Sequence, residues 1–128
     1  MNFISTRNNA PASNLSDAIA AGLAPDGGLY VPEKLPAGRN LEAGANLAET
    51  TATLLAPFFD GDALAPELPA ICREAFDFPV PLKPLATPGD HVLELFHGPT
   101  AAFKDVGARF LAACLARIRR DEAKPLTI

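Results

Sequence analysis

Lys104 stands where a lysine is out of place. It falls in the first turn of an amphipathic segment that follows Gly98-Pro99-Thr100, and the positive end of a helix dipole disfavours a cation there by about 0.3–1 kcal/mol. Unpaired backbone N–H groups at such an end, with a glycine just before it, suit an anion. They also favour the neutral amine over the ammonium, and a neutral lysine is a nucleophile able to form an imine with an aldehyde. The plain alternative is an amine extended into solvent, with Asp105 answering the dipole. Thr100 reads first as the helix N-cap, a position where threonine is favoured. His97, on the preceding loop, is either a loop histidine satisfied by its neighbours or an acid–base group.

Other constellations lead nowhere. His91 and His97 lie six positions apart with no carboxylate cluster, which fits neither a helical metal pair nor a zinc motif. Cys72 and Cys114 are far apart without further ligands, and read as buried thiols. Asp60-Gly61-Asp62 is too short for a calcium loop, and no Gly-x-Ser-x-Gly elbow surrounds any serine. Arg117, Arg119, Arg120 and Lys124 are diluted by Asp121 and Glu122, and read as a solvated helix end.

The elements that must hold Lys104 can be traced from the whole chain. Its 128 residues are 48% hydrophobic and 20% charged, the make-up of one modest globular domain. A net charge of −4 provides no positive field for nucleic acid or anionic lipid, so neither is an expected partner. No apolar run nears the roughly 18 residues that span a bilayer, and residues 1–7 lack the pattern of a leader, so a cytoplasmic protein is expected. The first hundred residues hold 5 basic and 12 acidic side chains and the remainder 6 and 3. The proline-rich stretch Phe78–Leu85 reads as an extended linker between these two characters, and a boundary is placed near residue 80.

Ahead of that boundary, Ser13 or Asn14 can cap a helix carrying Leu15, Ala18, Ile19 and Gly22 on one stripe. Asp26-Gly27-Gly28 then supplies a turn with positive φ, followed by a short strand ended by Pro32. Asn46 caps a helix with Leu47, Thr51, Leu54, Leu55 and Phe58 on one face, and Leu64, Leu68, Ile71, Cys72, Ala75 and Phe76 form a second stripe. Beyond the boundary, His91–Phe96 reads as a strand leading through Gly98-Pro99 into a helix that starts between Thr100 and Phe103. That helix sets Phe103, Val106, Phe110, Leu111, Cys114 and Ile118 on its inner face and leaves Arg109, Arg117 and Arg120 in water. Pro125 ends it, and Leu126-Thr127-Ile128 resembles the start of another strand. The expected fold class is α/β, α+β within this stretch: a small, mainly helical amino-terminal domain (1–80), then the first βα elements of a second domain (81–128), an unfinished βαβ unit of a longer protein.

Two segments carry a family resemblance. Glu94-Leu95-Phe96-His97-Gly98-Pro99-Thr100-Ala101-Ala102-Phe103-Lys104-Asp105-Val106-Gly107-Ala108 resembles the lysine signature of fold-type II pyridoxal-phosphate enzymes, in the form found in the threonine synthase family. Gly22-Leu23-Ala24-Pro25-Asp26-Gly27-Gly28-Leu29-Tyr30-Val31-Pro32, preceded by Ser5-Thr6-Arg7, is similar to that family's amino-terminal domain. Departures are Asn8, where the family usually has glycine, and Ala101, where leucine is frequent. The resemblance implies that Lys104 forms a Schiff base with pyridoxal 5′-phosphate, that Thr100, Phe103 and Asp105 lie at the cofactor, and that His97 lies on the substrate side. It implies conversion of O-phospho-L-homoserine and water into L-threonine and phosphate.

No Ser-Gly-Asp-Thr-Gly stretch or later glycine-rich phosphate cradle occurs within the 128 residues, so the chain by itself is expected to be inactive. Two alternatives are another fold-type II enzyme, such as a dehydratase or cysteine synthase, and a non-catalytic homologous module. The Gly22–Pro32 segment is atypical of the first. A phosphate cradle beyond Ile128 would argue against the second.

Overall fold

The computed structural model describes residues 1–38, 40 and 46–120. Among them are β1 (Phe3–Ser5), α1 (Leu15–Ala21), β2 (Tyr30–Pro32), α2 (Leu47–Leu55), α3 (Leu68–Ala75), β3 (Leu82–Pro84), β4 (His91–Leu93) and α4 (Lys104–Ile118). The strands form two separate antiparallel pairs, β1–β2 and β3–β4, so the described region is α+β.

Pairing of β1 with β2 sets Ser5 opposite Tyr30 and brings Ser5-Thr6-Arg7 onto the Asp26-Gly27-Gly28 turn. The Asp26 carboxylate organises this junction. It accepts from the Ser5 hydroxyl (2.7 Å), the Gly28 amide (2.9 Å) and the Asn9 amide (3.0 Å), while the Arg7 guanidinium donates to the Asp26 carbonyl (2.9 Å). The Ser5 hydroxyl, followed by the Gly28 amide, holds the Asp26 carboxyl below its ordinary 3.8. Gly28 is required because a Cβ there would collide with the Ser5 hydroxyl. Asn8 sits at φ +54°, a left-handed conformation that asparagine tolerates nearly as glycine does, which accounts for this departure from the family pattern.

Helix α1 is capped by Asn14, whose side chain accepts from the Asp17 amide, and ends at Gly22 with φ +71°. A second, distant cap comes from Asp62, which accepts from the Ser16 amide (2.9 Å) and hydroxyl (2.5 Å) and from the Leu64 amide (2.9 Å). Burial works to raise the Asp62 carboxyl, but these donors outweigh it and the net displacement is downward. Asn46 caps α2 in a reciprocal capping box with Glu49. Pro57, lacking an N–H, accompanies a change to a 3₁₀ turn over Ala56–Phe59. Leu54, within α2, is exposed and so departs from the predicted stripe.

The core closes around α3. Leu64, Leu68, Ile71, Cys72, Ala75 and Phe76 are all buried, as their spacing predicts, and Phe3, Leu15, Phe59, Ala113 and Cys114 pack among them. Both cysteines are free, buried thiols. Burial raises both, Cys114 to about 11.

The region beyond residue 80 differs from expectation. The strand predicted over His91–Phe96 is only His91–Leu93, and it pairs antiparallel with Leu82–Pro84, inside the stretch read as linker. A tight turn closed by Leu85 N–H to Asp90 O (2.9 Å), with Gly89 at φ +90°, makes a hairpin of them, so no parallel strand–helix–strand unit is seen among the described residues. Every residue of β3 and β4 is exposed. Helix α4 instead packs on α3 and α1, within the same core as residues 3–76. The strand start predicted at Leu126–Ile128 and the stop at Pro125 lie outside the described residues.

Candidate active site

Lys104 is the first residue of α4, and the helix that carries it is fastened from below. Phe110 stacks on Phe76 with centroids 5.9 Å apart and meets Phe59 edge-on at 6.2 Å. Val106, Ala113, Cys114 and Ile118 complete the face that meets the core. Arginines tie down the flank. Arg109 donates to the carbonyls of Ala75 (2.9 Å) and Glu74 (3.0 Å), which the end of α3 leaves open, pairs with Asp77 (2.7 Å) and lies over the Phe78 ring. Arg117 pairs with Glu67 (3.1 Å) and Glu74 (2.9 Å), and Arg120 with Glu67 (2.8 Å). The reading of Arg109 and Arg117 as solvated is therefore corrected, because Glu67, Glu74 and Asp77 lie alongside, whereas Arg120 stays largely in water as expected.

The inner face predicted for α4 is corrected at two positions. Phe103 is 67% exposed and Leu111 38%, because both sit on the side turned away from α3. With Lys104, Gly107 and Ala108 they leave α4 with a second, outward apolar face. Leu95, Phe103, Lys104, Val106, Gly107 and Ala108 border an open recess there of about 530 Å³. Lys104 is exposed on its rim, and no described residue hydrogen-bonds or ion-pairs with its side chain.

The loop before the helix is built differently from the simplest reading. Thr100 is not the N-cap: helical geometry starts at Lys104, the preceding Phe103 is already in the right-handed helical region, and no side chain caps it. Thr100 contributes its backbone amide, which donates to Asp105 Oδ2 (2.9 Å). Asp105 is 5% exposed, turned under the loop. His97 Nε2 meets Glu94 Oε2 at 2.7 Å, and the Phe96 ring lies 4.7 Å from the imidazole. The structure thus brings Lys104 and Phe103 together on one recess and joins Thr100 to Asp105, neither of which borders that recess, while His97 is engaged by Glu94 outside both pairs. Glu94 and Arg109 were not singled out from sequence. The three-residue spacing of Glu94 to His97 is a legible signal, whereas the partners of Arg109 on α3 are more than 30 residues away.

The family description "Threonine synthase N terminus" matches residues 2–76. The chain belongs to the threonine synthase family. It is 40% identical to the threonine synthase of Pseudomonas aeruginosa, covering 100% of this chain and 29% of that protein, and 37% identical to that of Haemophilus influenzae, covering 94% and 29%. It therefore spans about 29% of the length of these threonine synthases. A crystal structure of pyridoxal-phosphate-bound threonine synthase from Brucella melitensis superposes with a TM-score of 0.83 at 37% identity, over 97% of this chain and 28% of that one. The Escherichia coli threonine synthase structure gives 0.83 at 31% identity, over 100% and 30%.

No group of three or more His, Cys, Asp or Glu side chains placed to hold a metal ion occurs among the described residues. No described helix is long and apolar enough to cross a membrane.

Proposed function

We propose that this chain is the lysine-bearing amino-terminal part of an enzyme that converts O-phospho-L-homoserine and water into L-threonine and phosphate, with pyridoxal 5′-phosphate attached at Lys104. The observation that carries the reading is the amine itself. It stands exposed at the start of α4 on the rim of an apolar recess, free of any competing partner among the described residues, within a chain of the threonine synthase family.

These residues suit the group. A primary amine can bond to its aldehyde, and Leu95, Phe103, Val106, Gly107 and Ala108 provide an apolar surface broad enough for a ring. When bound, pyridoxal phosphate withdraws electron density from the substrate's α-carbon. Lys104 Nζ is a nucleophile and, once free, a base that can take and return a proton at that one atom. Glu94 orients the His97 imidazole on the substrate side of the loop.

We also place the division of the polypeptide near residue 80, with residues 1–80 an amino-terminal domain and 81–128 the start of a fold-type II catalytic domain that contributes α4. The protein is assigned to the cytoplasm, without a nucleic-acid or membrane partner, in keeping with its net charge of −4.

The test is product analysis on the full-length polypeptide that contains this segment. Phosphate and L-threonine should appear together from O-phospho-L-homoserine, and Lys104→Ala should abolish both. Turnover of serine without phosphate release from O-phospho-L-homoserine would refute the assignment in favour of a dehydratase.

A further inference from the structure

We propose that Asp105 is a positioning residue: its buried carboxylate ties the Gly98–Ala101 turn to the first turn of α4 and so fixes the direction in which the Lys104 amine leaves the helix. Consecutive helical residues project about 100° apart. Here the pair is split cleanly, with Lys104 exposed and Asp105 at 5% exposure beneath the loop. Asp105 Oδ2 accepts the Thr100 amide at 2.9 Å. Gly98 crosses the same carboxylate so closely that an added Cβ would collide with Oδ2 and come within 2.8 Å of the Asp105 Cβ and 2.9 Å of its Cγ.

The turn it holds is under tension. Gly98 O accepts the Ala101 amide (3.0 Å), and Ala101 sits at φ +54°, a left-handed conformation that alanine adopts only when its surroundings impose it. Two short-range bonds, Asp105 N–H to Ala102 O (3.1 Å) and Val106 N–H to Phe103 O (3.2 Å), carry that turn directly into the helix start. A carboxylate at this place also complements the helix dipole that Lys104 opposes. The combination of a buried acceptor, a glycine without room for a side chain and a strained alanine is a rigid mount for the exposed Lys104 amine. It acts through Lys104's neighbours and touches no reacting atom.

This inference rests on the assignment of Lys104 above, and its test separates the two. In the full-length polypeptide, Asp105→Ala, Asp105→Asn, Gly98→Ala and Lys104→Ala are compared by hydrogen exchange of the Thr100 amide without cofactor, by circular dichroism of the bound pyridoxal phosphate, and by kcat and KM. Asp105→Ala should speed Thr100 exchange, reduce the chromophore's dichroism and lower kcat by about ten- to a hundredfold with little change in KM, the loss expected when a reacting group is displaced by up to ~1 Å. Asp105→Asn retains an oxygen that can accept the Thr100 amide and should restore most of each signal. Gly98→Ala should reproduce the defect by pushing the carboxylate away, and it provides the same readouts if Asp105→Ala fails to fold. Unchanged exchange and dichroism in Asp105→Ala, or an Asn variant no better than Ala, would overturn the positioning role. Chromophore formation that persists in Lys104→Ala would instead overturn the assignment of Lys104.

Discussion

Single carboxylates decide much of the local geometry. Asp26 and Asp62 are each satisfied by hydroxyl and amide donors from segments distant in sequence, and both titrate below the ordinary 3.8 in the folded chain. A group depressed in this way contributes stability that is fully present above its unfolded value and is lost as pH falls through the lower folded value. The structure should therefore weaken with acid below about pH 3.8, and removing one such carboxylate should flatten that dependence. Asp62→Ala should in addition cost about 1 kcal/mol near neutral pH, the usual value of a helix cap. Thermal melts across the acid range check both, and identical pH slopes in the two proteins would show that folding does not hold the Asp62 carboxyl down. The sequence carries these roles unevenly. Asn14 and Asn46 can be read as caps because their helices follow immediately, but Asp62 caps a helix 46 residues earlier, and only the closed fold reveals that pairing.

Elements were legible where periodicity was strong. The α3 stripe is buried at every position named from spacing, because one amphipathic face meets one core. Its centre, Ile71, is 0% exposed, and Ile71→Ala should cost about 2–5 kcal/mol through the cavity it leaves. Thiol labelling reports the change well. Cys72 and Cys114 beside it are fully buried and raised by that burial, so in the parent chain they should react only on opening. Ile71→Ala should accelerate their labelling in native buffer, and an unchanged labelling rate would place Ile71 outside the unit that opens. The α4 helix was less legible because it carries two apolar faces. Phe103 and Leu111 match a helical period as well as Val106 and Phe110 do, and only the position of α3 tells the inner face from the outer. The β3–β4 hairpin was missed for a related reason: prolines in Phe78–Leu85 exclude a helix, yet Pro84 is tolerated in an exposed two-stranded pair.

At the scale of the molecule, the amino-terminal helices form a platform and α4 lies across it, with Arg109 and Arg117 fastening it to α3. The core face of α4 is thereby spent, and its outward face presents Lys104 beside an apolar recess. This division of labour explains why the lysine signature reads as chemistry from sequence alone, while the residues that aim it do not: Asp105, Gly98 and the arginines act through the fold. The most direct measurement is borohydride reduction of the full-length polypeptide with pyridoxal 5′-phosphate, followed by peptide mapping. The pyridoxyl label should fall on the peptide containing Lys104 and vanish in Lys104→Ala; a label on another lysine, with phosphate release undiminished in that variant, would contradict the account.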